Sequence, residues 1–207
     1  MPRANSADKI LGCATQMFAK NGYAGTIMDE LAEACELNKA TIYYHYKDKS
    51  NLYEEVLTRH LTVVVDTVTD AVAKQENALG KIDAYVKAFS QANSQNSFIV
   101  SILMREIASG SELMPDRAKA QMHRMLMIIK QIIEQGVKEE NFLQVDPLMI
   151  HFMVLGSLSF FIASEPMRKK MQSTDKKLQK SFQSSTLEDV TKQLSQMLKN
   201  ALLQTKE

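Results

Sequence analysis

The sequence predicts an all-α protein in two parts: a head of three short helices over residues 1–50 and a larger helical part over 51–207. Three observations carry that expectation. Apolar residues recur with helical spacing almost from end to end, and no segment alternates with period two for long. The 207 residues include only seven Gly and four Pro, while Ala, Leu, Lys, Glu and Met are abundant. The breaks between periodic stretches are closely spaced at first and widely spaced afterwards.

Residues 7–20 place Leu11, Ala14 and Phe18 on one helical face, with Ile10 and Met17 flanking it. Asn21-Gly22 should stop that helix. Thr26 is the expected cap of a second helix, whose Met28, Leu31, Ala32 and Cys35 share a face. A break at Glu36-Leu37-Asn38 precedes a short third helix, about Lys39 to His45. Asp48 then caps a long helix running to about Gln75.

Later breaks fall at Asn77–Gly80, Asn93–Ser97, Ser109–Pro115, Asn141–Pro147 and Glu165–Ser185. Between 116 and 138, Ala118, Met122, Met125, Leu126, Ile129, Ile132, Ile133 and Val137 mark one broad apolar face. Asp146-Pro147 has the chemistry of a helix start, Asp as cap and Pro where a missing N–H costs nothing. Residues 166–184 are poor in apolar side chains and carry Arg168, Lys169, Lys170, Lys176, Lys177 and Lys180. That stretch reads as a solvated connector, with a nucleic-acid arm as the alternative.

Charge nearly cancels, 25 basic against 24 acidic residues, and the first 50 residues hold six of each. Gross charge therefore gives no pointer to a polyanionic partner. Cys13 and Cys35 cannot build a disulfide framework and read as buried reduced thiols. The N-terminus lacks a signal-peptide core. The most apolar run, Leu148 to Ala163, is 16 residues, short of the roughly 20 that a membrane span needs. A soluble, cytoplasmic protein without membrane contact is expected.

No nucleotide-binding glycine motif, nucleophile elbow or H-E-x-x-H occurs. His45, His60, His123 and His151 fall on different helices without ligand-like spacing, so neither a metal nor a cofactor is expected. Nothing in the sequence points to catalysis.

The informative stretch is TIMDELAEACELNKATIYYHYKDK, residues 26–49. A capped amphipathic helix, a turn and a second short helix make a helix-turn-helix unit. The second helix is unusually polar, with Lys39, Thr41, Tyr43, Tyr44 and His45. Such side chains suit phosphates, base edges and thymine methyls, or they belong to a surface helix whose tyrosines pack on neighbours.

The stretch from Ala7 to Leu57 resembles the DNA-binding domain of the TetR family of bacterial transcriptional regulators. The matching pieces are FAKNGYAGT, MDELAEACEL and NKATIYYHYKDKSNLYEEVL, in order and at the right spacing. Ala40 stands where Gly is frequent, and Tyr46 replaces the commoner Phe. The resemblance implies that Thr26 meets a phosphate, helped by free helix N–H groups. It implies that Lys39, Ala40, Tyr43 and Tyr44 face bases, and that Thr41, His45, Lys49 and Lys47 contact the backbone. Ile42 should point inward with Phe18, Leu31 and Leu52.

Beyond residue 57 two features fit a helical effector-binding and dimerisation domain. Leu187, Val190, Leu194, Met197 and Ala201 repeat 3-4-3-4, and Ser185 with Glu188 offers that helix a capping box. The helix at 147–164, with Leu155 and Leu158, is apolar nearly all round and must be covered on every face. Self-pairing of these two helices in a homodimer is expected, the alternative being the monomer's own core. Met104, Met122, Met125 and His151 are the expected effector contacts, methionine suiting irregular apolar ligands. The implied function is a ligand-responsive repressor released from a near-palindromic double-stranded DNA operator by a small apolar or amphipathic effector. The alternative from another class is a helical carrier of hydrophobic cargo.

Overall fold

The computed structural model describes residues 3–174 and 185–203. Among them it contains ten α-helices: α1 (Arg3–Gly25), α2 (Met28–Ala34), α3 (Lys39–His45), α4 (Lys49–Ala73), α5 (Ala78–Ser94), α6 (Ser97–Ala108), α7 (Asp116–Glu139), α8 (Pro147–Ala163), α9 (Glu165–Thr174) and α10 (Leu187–Leu202). One isolated antiparallel bridge joins Phe142 to Leu203. The chain forms two compact units. The first is Met1–Thr62 with Phe98–Gln121, and the second is Val63–Ser97 with Met122–Glu207.

In the first unit, Ile10, Leu11, Ala14 and Phe18 of α1 meet Leu31 of α2, Ile42 of α3 and Leu52 and Leu57 of α4 in a buried core. α1 continues to Gly25, but Gly22 breaks it at φ 74, ψ 174, a conformation only glycine adopts without strain. The expected stop is present as a kink, which turns Tyr23 back against Tyr53 at 5.0 Å between ring centres. Phe18 meets the same Tyr53 ring at 4.8 Å.

The cap of α2 differs from expectation. Ile27 occupies the N-cap and makes no side-chain cap bond, while the Thr26 hydroxyl donates backwards to the Gly22 carbonyl at 2.8 Å. At the other end, Leu37 N–H reaches the Ala32 carbonyl and Glu36 N–H the Glu33 carbonyl, with Glu36 left-handed at φ 50. This closure ends α2 and sets the turn. Asn38 caps α3 by accepting from Ala40 N–H at 2.8 Å, and Asp48 caps α4 by accepting from Asn51 N–H at 2.8 Å.

The first unit reaches further along the chain than the head expected at residues 1–50. Tyr53 donates to the buried Glu106 carboxylate on α6, Arg105 donates to the Ala19 carbonyl at 3.1 Å, and Arg117 pairs with Glu54 and Glu55. These bonds tie residues 98–121 to the three-helix head.

The second unit is built from α5, α8, α9 and α10 with portions of α4 and α7. Its core holds Val65 and Val68, Ile82 and Phe89, Ile129 and Ile133, Val154 and Leu158, and Leu194 and Leu198. Two buried polar pairs cross it: Tyr85 with His151 at 2.8 Å and Ser90 with Thr191 at 2.6 Å. A Cβ on Gly136 would lie 2.1 Å from the Phe142 ring, so only glycine lets that ring cover the end of α7.

Three expectations are corrected here. Residues 165–174 are the helix α9 rather than part of a connector, with Arg168 held on Ser164 Oγ at 2.6 Å and over the Phe161 ring at 3.8 Å. Lys176, Lys177 and Lys180 lie outside the described residues. The capping box of α10 is Thr186 with Asp189, one residue beyond Ser185 and Glu188. The inward stripe of α10 is Thr191, Leu194, Ser195, Leu198 and Leu202, not the 3-4 seam. No single helix among the described residues is long and apolar enough to cross a membrane, and the apolar run of α8 into α9 bends by 52°.

Candidate nucleic-acid interface

Helix α3 has one buried side chain, Ile42, which is fully covered and anchors it. That leaves the rest of a seven-residue helix outside the core. Tyr44 is 69% exposed, Tyr43 is 40% exposed, and Ala40 is open, so hydroxyls and ring edges project from a small, unobstructed backbone. Thr41 and His45 are half-buried at the flanks, and Lys47 is exposed just beyond the helix.

Polar bonds hold this surface in place. Lys39 is bonded to Asp29 on α2 at 2.7 Å and lies 5.9 Å from the Tyr43 ring; the bond to Asp29 raises its pKa above the usual lysine value. His45 Nε2 sits 3.0 Å from Ser6 Oγ, and Tyr46 donates to the Ala7 carbonyl at 3.3 Å. The hydroxyl of Tyr46 thus finds its partner on α1, and burial raises the Tyr46 pKa.

Two expected backbone contacts are placed elsewhere. Thr26 is 1% exposed with its hydroxyl turned to Gly22, so it presents no surface to a phosphate. Lys49 spends two N–H groups on the Thr26 and Ala24 carbonyls, at 2.8 and 3.3 Å, with its ammonium 4.6 Å over the Tyr23 ring. It braces the α1–α2 turn from the start of α4. The partners Asp29 and Lys39 are ten residues apart on different helices, so no local pattern reveals them. The Asn38 cap, by contrast, had a readable signal in Asn just before a helix.

Residues 10–56 match the domain described as bacterial regulatory proteins, tetR family. The head of the chain is thus similar to the DNA-binding domain of the TetR family. The HTH-type transcriptional regulator QacR of Staphylococcus aureus is 47% identical over 53 residues, 26% of this chain and 28% of QacR. The match therefore spans little more than a quarter of that relative's length. Two solved structures share the fold at length. The fatty acid degradation regulator FadR from Bacillus halodurans superposes with TM-score 0.74 at 18% identity, covering 95% of this chain and 96% of FadR. AibR, solved with isovaleryl coenzyme A and operator DNA, gives 0.69 at 18% identity, covering 93% and 97%.

The expected effector residues fall in both units. Met104 belongs to the first unit, while Met122, Met125 and His151 belong to the second. Met125 is packed into the second unit's core, and His151 is buried on Tyr85. Of the expected dimerisation residues, Leu158 and Leu194 are core of their own chain, and Leu155, Leu187 and Val190 pack partly against it. Met197 and Ala201 are exposed. The uncovered apolar surface of α8 is instead Leu148, Met149, Phe152, Met153 and Phe160, the two phenylalanines 58% and 62% exposed. Because α8 is apolar all round, its sequence carries no phase that tells the inward face from the outward one.

Proposed function

We propose that the protein is a DNA-binding transcriptional repressor, acting in the cytoplasm as a homodimer and released from its operator by a small, mainly apolar effector. The observation that carries this reading is the outer face of α3. Lys39, Ala40, Tyr43 and Tyr44 project from a helix whose inner face is fixed by Ile42, a rigid mount for side chains that read base edges in a major groove. Lys47 and His45 flank them and serve the phosphates. Thr41 stands with this flanking set, while Lys49 and Thr26 act by holding the turn.

The outer face of α8, with Met197 and Ala201 of α10, supports the dimer. A patch of this kind on a lone chain marks an association surface, and a second copy of the same patch complements it. Two heads would then enter successive major grooves of a near-palindrome. AibR's effector and operator are named for AibR; here the class of effector rests on the apolar core of the second unit.

The test is a gel shift with full-length protein and the DNA upstream of its own gene, at two salt concentrations. Retention of that DNA over a scrambled duplex supports the reading. Equal affinity for both, or none for either, overturns it.

A further inference from the structure

Cys13 on α1 and Cys35 at the end of α2 are neighbours, and DNA recognition as proposed uses neither thiol. Cys13 Sγ lies 3.7 Å from the carbonyl oxygen of Ala34, the residue bonded to Cys35. Cys35 is fully buried and is the C-cap of α2, whereas Cys13 is only half-buried. The reading of both as buried thiols therefore holds for Cys35 alone. Burial first, then the adjacent Cys13 thiol, pushes Cys35 up to about 12 against the opposing influence of Lys9. Cys35 stays protonated and shielded, so an oxidant in solution meets Cys13 first.

The position of Cys35 matters more than its burial. Glu36 follows it in the left-handed conformation, then Leu37 and the cap Asn38, and α3 begins at Lys39. A covalent tie at Cys35 acts directly on the three residues that aim α3.

We propose that Cys13 and Cys35 form a reversible disulfide in response to hydrogen peroxide, and that this bond re-aims α3. The Cys13 thiolate attacks one peroxide oxygen and breaks the O–O bond. Hydroxide leaves and takes up a proton to become water, and Cys13 becomes a sulfenic acid. The Cys35 sulfur then attacks the sulfenic sulfur, losing its proton to the departing hydroxide, which leaves as a second water. Two thiols and one peroxide yield one disulfide and two waters; the sulfurs are oxidised and the peroxide is reduced. A dithiol reductant reverses the change by exchange. An S–S bond is about 2.05 Å, shorter than any non-bonded approach of two sulfurs, so it draws the α2 C-cap toward α1.

The test treats full-length protein with hydrogen peroxide, alkylates the remaining thiols and identifies peptides by mass. Both thiols should disappear together into one peptide pair joining Cys13 to Cys35 within a chain, and dithiothreitol should restore both. Cys13 reaching sulfinic acid while Cys35 still alkylates, both cysteines still alkylating, or links only between chains would each overturn the disulfide. Amide exchange over residues 36–46 reads the re-aiming without DNA: changed protection on oxidation is expected, and unchanged protection refutes it. The effect on DNA rests on the repressor reading, so reduced protein is assayed first on the upstream DNA. If that binds, oxidation should weaken it about tenfold, the equivalent of one lost base contact. Cys13→Ser should bind alike with and without peroxide. Equal binding by reduced and cross-linked wild type overturns re-aiming, whereas failure of the reduced protein overturns the repressor reading and leaves the thiol and exchange results to decide this one.

Discussion

Replacing Gly22 by alanine and, separately, Gly12 by alanine applies one chemical change to one helix with opposite expected signs. Gly12 lies within regular α1, is exposed, and a Cβ there would meet nothing within 4 Å. Alanine should stabilise by about 0.5–1 kcal/mol, because it loses less backbone freedom on folding. Gly22 sits at φ 74, ψ 174, where a side chain costs of order 1–3 kcal/mol. Its Cβ would also lie 2.7 Å from Arg105 Nη1, displacing a guanidinium that bonds the Ala19 carbonyl at 3.1 Å. Losing part of that charged bond adds about 1 kcal/mol. The reduced entropy of the unfolded chain returns about 0.4–1 kcal/mol. Gly22→Ala should therefore destabilise by roughly 1–3.5 kcal/mol. Urea denaturation followed by circular dichroism measures both variants, and Arg105→Ala in the Gly22→Ala background separates steric from backbone cost. Removing Arg105 should recover little if the dihedral dominates. Equal effects of the two glycine substitutions would refute the assignment of the kink to a glycine-only conformation.

Tyr44→Ala should leave the unfolding midpoint unchanged, since the ring is 69% exposed, yet weaken operator binding by about 1–3 kcal/mol in a fluorescence titration. Lys49→Ala should lower stability and DNA affinity together, with the salt slope of binding retained, because its ammonium braces the Thr26 and Ala24 carbonyls; a slope flatter by about one would instead make it a phosphate contact. Phe152→Glu should yield monomers in sedimentation with the helical content preserved, whereas an unchanged sedimentation coefficient would exclude the α8 face from the dimer. Burial holds the His151 pKa below its ordinary 6.5, so below about that pH the unfolded chain binds a proton that the folded chain refuses, and stability falls as pH drops. His151→Gln, which keeps a partner for the Tyr85 hydroxyl, should flatten that acid limb of the urea midpoint against pH.

What the sequence disclosed follows from how local each signal is. The bounds of α3, the Asp48 cap and the Asp146-Pro147 start depend on residues within one turn of each other, and all three appear as read. The α10 cap was off by one because Ser185–Glu188 and Thr186–Asp189 carry the same chemistry in overlapping registers. Helix α9 escaped notice because its few apolar residues mark no stripe, while its order comes from pairs such as Glu165–Lys169 at 2.7 Å. Leu158 and Leu194, expected at the dimer seam, lie in the core of their own chain, and the reason the sequence is silent here is different. A leucine in a continuous apolar run fits either surface, and tertiary packing alone decides which one closes over it. Lys49 and Thr26 show the same limit at the site: a polar side chain near the recognition helix serves a ligand or the fold itself, and the carbonyls that Lys49 meets are more than twenty residues away in sequence.

The balance of six basic and six acidic residues in the first 50 has a structural counterpart in where the cations are engaged. Lys39 is held by Asp29, Lys9 by Glu36, and Lys49 by backbone carbonyls. These pairs lie at the surface, where an ion pair contributes less than about 1 kcal/mol. A phosphate arriving at α3 therefore competes for Lys39 with a weakly bound carboxylate rather than with a buried one. Before contact, the equal numbers of acidic and basic residues leave the head close to neutral, which would limit its attraction for arbitrary duplex. On the proposed repressor reading, discrimination would fall to the uncharged groups on the outer face of α3, the hydroxyls of Tyr43 and Tyr44 and the open backbone at Ala40. A neutral head with a polar recognition helix is thus a consistent design for binding that depends more on base edges than on charge.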